Sequence, residues 1–108
     1  VPATTVGRLF DFGDYPGLVT GDQQVAGELW YVAADHLEQT LLTLDQIEDF
    51  RGQDDDLYKR IIVECDVGGL FQWAFTYLYH QALPLQAIEV QADPAGVQRW
   101  PVQLGSHR

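Results

Sequence analysis

Two long runs rich in β-branched and aromatic residues, Tyr58–Val67 and Leu70–Tyr79, stand on either side of Gly68-Gly69. Two adjacent glycines supply the positive φ angles of a two-residue hairpin turn, so these runs are expected to pair as antiparallel strands. The turn sets the register: Val67 opposite Leu70, and the pairing running back to Tyr58 opposite Tyr79. One face then carries Ile61, Val63, Cys65 and Val67 with Ala74, Thr76 and Leu78. The other carries Tyr58, Arg60 and Ile62 with Phe75, Tyr77 and Tyr79. Both faces are largely apolar, which implies a sheet covered on two sides or curled toward a barrel.

The remaining chain adds to this sheet. Residues 5–12 and 25–33 read as strands, separated by Gly13-Asp14-Tyr15-Pro16-Gly17, a cluster of turn formers. Gly27 inside the second suggests a bulge or a close backbone approach. A helix is expected from His36 to Phe50, with Asp35 as N-cap and Glu38 as its reciprocal partner. Gly52 and Asp54-Asp55-Asp56 mark the exit into a solvated loop. Residues 84–92 read as a last strand, and the tail from Trp100 onward as loosely held. The fold class is α+β, a small mixed β-barrel-like sheet with flanking helices. Its 108 residues form one domain, 1–108, with enough chain for a single core.

Leu37, Leu41 and Leu44 make the apolar stripe of the helix, and Glu48 falls one turn further along it. A carboxylate in such a place is costly unless it has partners or a use. Burial raises its pKa toward the range in which a carboxyl exchanges protons at neutral pH. The alternative is a helix-end carboxylate turned to solvent, with Ile47 taking the apolar contact. Asp45, nearly a turn earlier, reads as a surface or local hydrogen-bonding residue.

Sixteen acidic residues against six basic ones give a formal charge of −10, which disfavours nucleic acid and anionic membranes as partners. No apolar run is long enough for a membrane helix. Cys65 is the single cysteine, so no intrachain disulfide can form and a cytoplasmic setting is preferred. On the inner hairpin face it reads as a small buried thiol. His36, His80 and His107 are far apart, and the triple aspartate lacks the ligand spacing of a calcium loop, so no metal site is expected. Gly13 and Gly17 do not form a phosphate-binding loop, since no Gly-Lys-Ser/Thr follows.

Several segments, taken in order, match a known pattern. They are Thr5-Val6-Gly7-Arg8-Leu9-Phe10-Asp11-Phe12-Gly13, Tyr15-Pro16-Gly17-Leu18 and Val25-Ala26-Gly27-Glu28-Leu29-Trp30. Leu44-Asp45 with Glu48, Tyr58-Lys59-Arg60 before Ile62-Val63, and Trp73-Ala74-Phe75-Thr76-Tyr77 complete it. Over residues 4–80 the chain resembles the γ-glutamylcyclotransferase-like superfamily, which includes γ-glutamylamine cyclotransferases and avirulence-induced-gene-like proteins.

The resemblance implies a barrel-like sheet with a pocket lined by the Leu-Asp-x-x-Glu helix. It implies release of 5-oxoproline and a free amine or amino acid from a small-molecule γ-glutamyl substrate, with no cofactor. It implies Glu48 as general acid/base and Tyr58, Arg60 and Tyr77 as substrate-binding residues. On residue chemistry alone, Tyr58 and Tyr77 are equally readable as core aromatics and Arg60 as a structural ion-pair partner. The family's N-terminal Tyr-Gly-x-Leu strand and loop has no match here, so the chain is expected to lack it. A non-catalytic binding or regulatory module on the same fold is therefore the alternative function. Oligomeric state and the particular γ-glutamyl substrate are left open.

Overall fold

The computed structural model describes residues 1–100. Six strands, β1 (Pro2–Asp11), β2 (Pro16–Glu28), β3 (Tyr58–Val67), β4 (Leu70–Tyr79), β5 (Ile88–Glu89) and β6 (Val97–Gln98), form one mixed sheet. Between β2 and β3 a 3-10 turn (Ala34–His36) leads into α1 (Leu37–Ile47).

The hairpin forms in the register that its turn dictates, from Val67↔Leu70 to Tyr58↔Tyr79. Gly68 and Gly69 have φ of 60° and 91°, the left-handed pair that lets a two-residue turn follow the strands' own twist. The strand order is β4-β3-β1-β2-β6, with β5 also pairing β1. β2 and β6 run parallel and the other pairs are antiparallel.

The sheet curls but does not close into the expected barrel. Along one seam β1 and β3 share a single pair, Thr4↔Asp66, supported by the Thr5 hydroxyl donating to the Glu64 carbonyl at 2.9 Å. Along the other, β2 approaches β4 without a ladder and leaves a slot of about 150 Å³ between Ala26–Glu28 and Ala74–Thr76. The Tyr31 hydroxyl spans that seam to Gln72 Oε1 at 2.8 Å.

Several boundaries differ from expectation. The second strand is Pro16–Glu28, not 25–33, and Trp30 and Tyr31 lie exposed beyond it. Pro16 is tolerated as the strand's first residue. Gly17 serves packing there: a Cβ on it would come within 2.3 Å of the Phe12 ring. Gly27 pairs regularly with Ala3, and the irregularity falls instead between Gly7 and Arg8, opposite an extra loop of β2 at residues 20–22. The expected strand at 84–92 contracts to β5, while β6 was not anticipated; two residues carry too little pattern to be read. Beyond Trp100, the expectation for the tail lies outside the described residues, as does His107.

The core is small: Leu9, Phe10, Phe12, Val25, Cys65 and Tyr79 are its buried side chains. Phe12 and Tyr58 each meet Tyr79 edge-on, with ring centroids 5.0 and 5.4 Å apart. Cys65 is buried as expected, which pushes its thiol pKa up. On the outer hairpin face Tyr58 and Tyr79 are covered by the core and Arg60 and Tyr77 meet Asp45 of α1, while Ile62, Phe71 and Trp73 stand exposed. Of the two arrangements expected, a sheet covered on both sides or one curled toward a barrel, the structure takes the second without closing it.

Polar groups tie the C-terminal segment to β1. Arg8 holds Glu89 with two hydrogen bonds, of 3.0 and 2.7 Å. The buried Gln98 accepts from the Leu9 N–H at 2.9 Å and donates to Glu89 and to the Val90 carbonyl. Asp56 departs from the solvated loop expected of its run. Its buried carboxylate accepts from the backbone N–H groups of Arg51 and Gln53 and organises the turn between α1 and β3. Burial alone would raise its pKa; the backbone N–H donors of Gln53, Arg51 and Gly52 and the Arg51 charge outweigh that and hold it low.

Candidate active site

α1 is lightly attached. None of its residues is buried, and Leu37 and Leu44 are more exposed than their place in the stripe implies. Asp35 sits inside the 3-10 turn, and neither that turn nor α1 has a side-chain cap at its N-terminus.

The C-terminus is better defined. Glu48 caps the helix, and Asp49 follows in the left-handed region at φ 54°. The Phe50 N–H reaches the Asp45 carbonyl at 2.8 Å and the Asp49 N–H reaches the Gln46 carbonyl at 3.2 Å. These crossed bonds are the Schellman closure, with aspartate where glycine is usual. Aspartate tolerates that backbone better than most residues.

The closure places Glu48 in the wall of a pocket of about 670 Å³. Leu9, Tyr15, Pro16 and Leu18 line one side, Ile47, Glu48 and Asp49 the helix end, and Leu57, Tyr58, Thr76 and Tyr77 the third side. Glu48 is half-buried and burial raises its carboxyl pKa. Ile47 is 69% exposed, so it does not take over the apolar contact in place of Glu48. Burial, with smaller contributions from Tyr15, Glu48 and Tyr79, pushes the Tyr58 hydroxyl up to about 12.

Three of the four residues singled out from the sequence, Glu48, Tyr58 and Tyr77, therefore line one pocket. Arg60 stands outside that lining. Its guanidinium donates to Asp45 Oδ2 at 2.6 Å and lies over the rings of Phe50 and Phe75, 5.7 and 5.4 Å from their centroids. The Tyr77 hydroxyl donates to the other Asp45 oxygen, Oδ1. Burial, the hydrogen bond to Asp45 and the Asp45 charge all raise the Tyr77 pKa, with Arg60 opposing in part.

Asp45 is thus no surface residue; its side chain is 15% exposed. Sequence reasoning missed this partnership, though the signal was present. Arg60 and Tyr77 are register partners on the hairpin's helix-facing side, and Asp45 lies on nearly the same helix face as Glu48. Tyr15, Leu9 and Leu18 were also missed, because the pocket wall they form arises from the twist of β1 and β2. Among the described residues no group of three or more His, Cys, Asp or Glu could hold a metal ion.

A pocket with a half-buried glutamate of raised pKa at a helix end, and three tyrosines in its lining, suits general acid/base chemistry on a small molecule. The family model described as Gamma-glutamyl cyclotransferase, AIG2-like, matches residues 1–100. The chain belongs to that family.

Two curated relatives agree with the assignment. The chain is similar to "Gamma-L-glutamyl-butirosin B gamma-glutamyl cyclotransferase" of Niallia circulans, 37% identical over 82 residues, 73% of this chain and 50% of the relative. It is also similar to "Putative gamma-glutamylcyclotransferase" of Vibrio cholerae serotype O1, 36% identical over 85 residues, 79% of this chain and 64% of the relative. The chain thus spans about half to two thirds of the length of these cyclotransferase relatives. No solved structure matches it. No helix among the described residues is long and apolar enough to cross a membrane.

Proposed function

We propose that the protein is a γ-glutamyl cyclotransferase in which Glu48 is the general acid/base. The observation that carries this reading is the half-buried Glu48, its pKa raised by burial, in the wall of the 670 Å³ pocket. In the reaction the substrate's α-amino nitrogen attacks its own γ-carbonyl carbon. A new N–C bond closes the five-membered ring of 5-oxoproline, and the γ-amide C–N bond breaks. The ammonium loses one proton before attack and the new ring nitrogen a second as the tetrahedral intermediate collapses. The departing amine gains one to leave and one more to become an ammonium, and a single carboxyl can take and return these protons in turn. Its raised pKa brings it closer to the pH at which these transfers are efficient.

The step as written consumes no nucleotide and changes no oxidation state. Its rate derives largely from holding the substrate folded back on itself, which replaces a random search. Tyr58 and Tyr77 supply aromatic walls and hydroxyls for that purpose, while Arg60 contributes through Asp45. The cytoplasm suits this chemistry and the free, buried Cys65.

Glu48→Gln tests the reading, since it preserves shape and removes the shuttled proton. Release of 5-oxoproline from a γ-glutamylamine by the full-length protein is expected to fall by about 10²–10⁴-fold. Turnover near the wild-type rate would remove Glu48 from the mechanism. A γ-glutamyl compound that raises the Tm with no product over long incubation would instead identify a binding module.

A further inference from the structure

The C-cap of α1 is Glu48, the residue proposed for catalysis, yet no residue of α1 is fully buried. Packing of an apolar face, the usual source of a helix's fixed position, is therefore weak here. The Schellman closure fixes the helix end relative to the helix, not relative to the sheet. Something else must hold Glu48 against the wall formed by Tyr58 and Tyr77.

Among the described residues, the side-chain hydrogen bonds from α1 to the sheet converge on one side chain. Asp45 Oδ2 accepts from Arg60 of β3, and Asp45 Oδ1 accepts from Tyr77 of β4. Arg60 and Tyr77 are directly opposed in the hairpin, so one carboxylate grips both strands at a single rung. Each carboxylate oxygen has its own donor, and both donors lie on half-buried side chains, where charge-assisted bonds are strongest. Cation–π contacts of Arg60 with the Phe50 and Phe75 rings add to the hold on the guanidinium. Asp45 and Glu48 are separated by less than one helical turn, so a carboxylate held at the first sets the direction of the second.

We infer that Asp45 is the positioning residue of this site: with Arg60 and Tyr77 it clamps the last turn of α1 to the hairpin and so aims Glu48 into the pocket. The inference rests on the proposed role of Glu48 for its catalytic consequence, but not for its geometry. It also gives Arg60 a task distinct from binding substrate.

The test uses two variants of the full-length protein. Asp45→Asn keeps the shape and one acceptor but removes the charge. Arg60→Gln removes one arm of the clamp without touching the pocket lining, and covers the case in which Asp45→Asn fails to fold. In each, amides of the last helical turn are expected to exchange at least about tenfold faster while mid-strand amides of β3 and β4 are unchanged. The Glu48 carboxyl, followed by carbon-13 NMR, is expected to titrate closer to the ordinary glutamate range as it gains solvent. With a γ-glutamylamine substrate, kcat is expected to fall about 10–100-fold with KM little altered. Asp45→Asn added to Glu48→Gln should cost nothing further.

An unchanged Glu48 titration and unchanged exchange in both variants would overturn the clamp. So would multiplicative losses in the double variant, which would give Asp45 a role independent of Glu48. If Glu48→Gln turns over normally, the catalytic reading alone fails; exchange and titration still decide the positioning.

Discussion

Glu48, the acid/base proposed here, carries a stability cost that its burial makes explicit. Burial favours its neutral form, so the folded chain holds the proton more tightly than the unfolded chain does. Between the unfolded pKa and the raised folded pKa the native state binds more protons, and stability therefore falls as pH rises through that window. Above it the ionised carboxylate is a constant cost. Glu48→Gln has no such charge, so its Tm is expected to exceed that of the wild type at pH 7. The difference should close as pH drops below the ordinary glutamate range. A variant that melts lower than wild type at pH 7, by differential scanning calorimetry, would show that the Glu48 carboxylate is net stabilising. Such a site is where a residue that breaks the local pattern belongs.

At the level of elements, legibility followed the strength of the local signal. The hairpin was readable to the residue, because two glycines at positive φ leave the flanking strands one favoured register. The helix was readable as a helix and its ends were not. Its expected cap at Asp35 makes no capping bond, and its stop is an aspartate in the left-handed region, not the Gly52 further on. Glu48 could be found because it interrupts an apolar period. Asp45 was harder to find, since its partners lie on other elements and only the hairpin register combined with the helix face brings the three together. Pro16-Gly17 misled for a different reason: the same residue types that make turns also permit close approach. Gly17 is buried and its missing side chain is filled by the Phe12 ring, which itself packs on Tyr79. Gly17→Ala is thus expected to cost about 1–3 kcal/mol through overpacking. Urea unfolding reads this as a lower midpoint with the same slope, and an unchanged midpoint would mean that the β2 start can shift away from Phe12 freely.

On the scale of the whole molecule, the barrel was the expectation that failed, and its failure is a matter of seams. Alternation within strands tells which face is apolar, but not whether the outer strands of a curled sheet come within hydrogen-bonding reach. Here β2 and β4 draw near without pairing, and the Arg8–Glu89–Gln98 network holds the C-terminal segment against β1 instead. Family membership implies a curled sheet around a pocket, and the chain has both without the closure.

The lone Thr4–Asp66 rung between β1 and β3 has a dynamic corollary. Each of the two long hairpins carries its own ladder, whereas a single backbone rung joins one to the other, so the hairpins are expected to part readily near Thr4 and Asp66, away from the Phe12, Tyr58 and Tyr79 rings that pin their other end. The pocket lies between them, with Leu9 and Leu18 on one ribbon and Tyr58 and Tyr77 on its counterpart. Native-state hydrogen exchange should find the Thr4 and Asp66 region opening at far lower free energy than either ladder's interior. Uniform protection across both ribbons would mean that they move as one body.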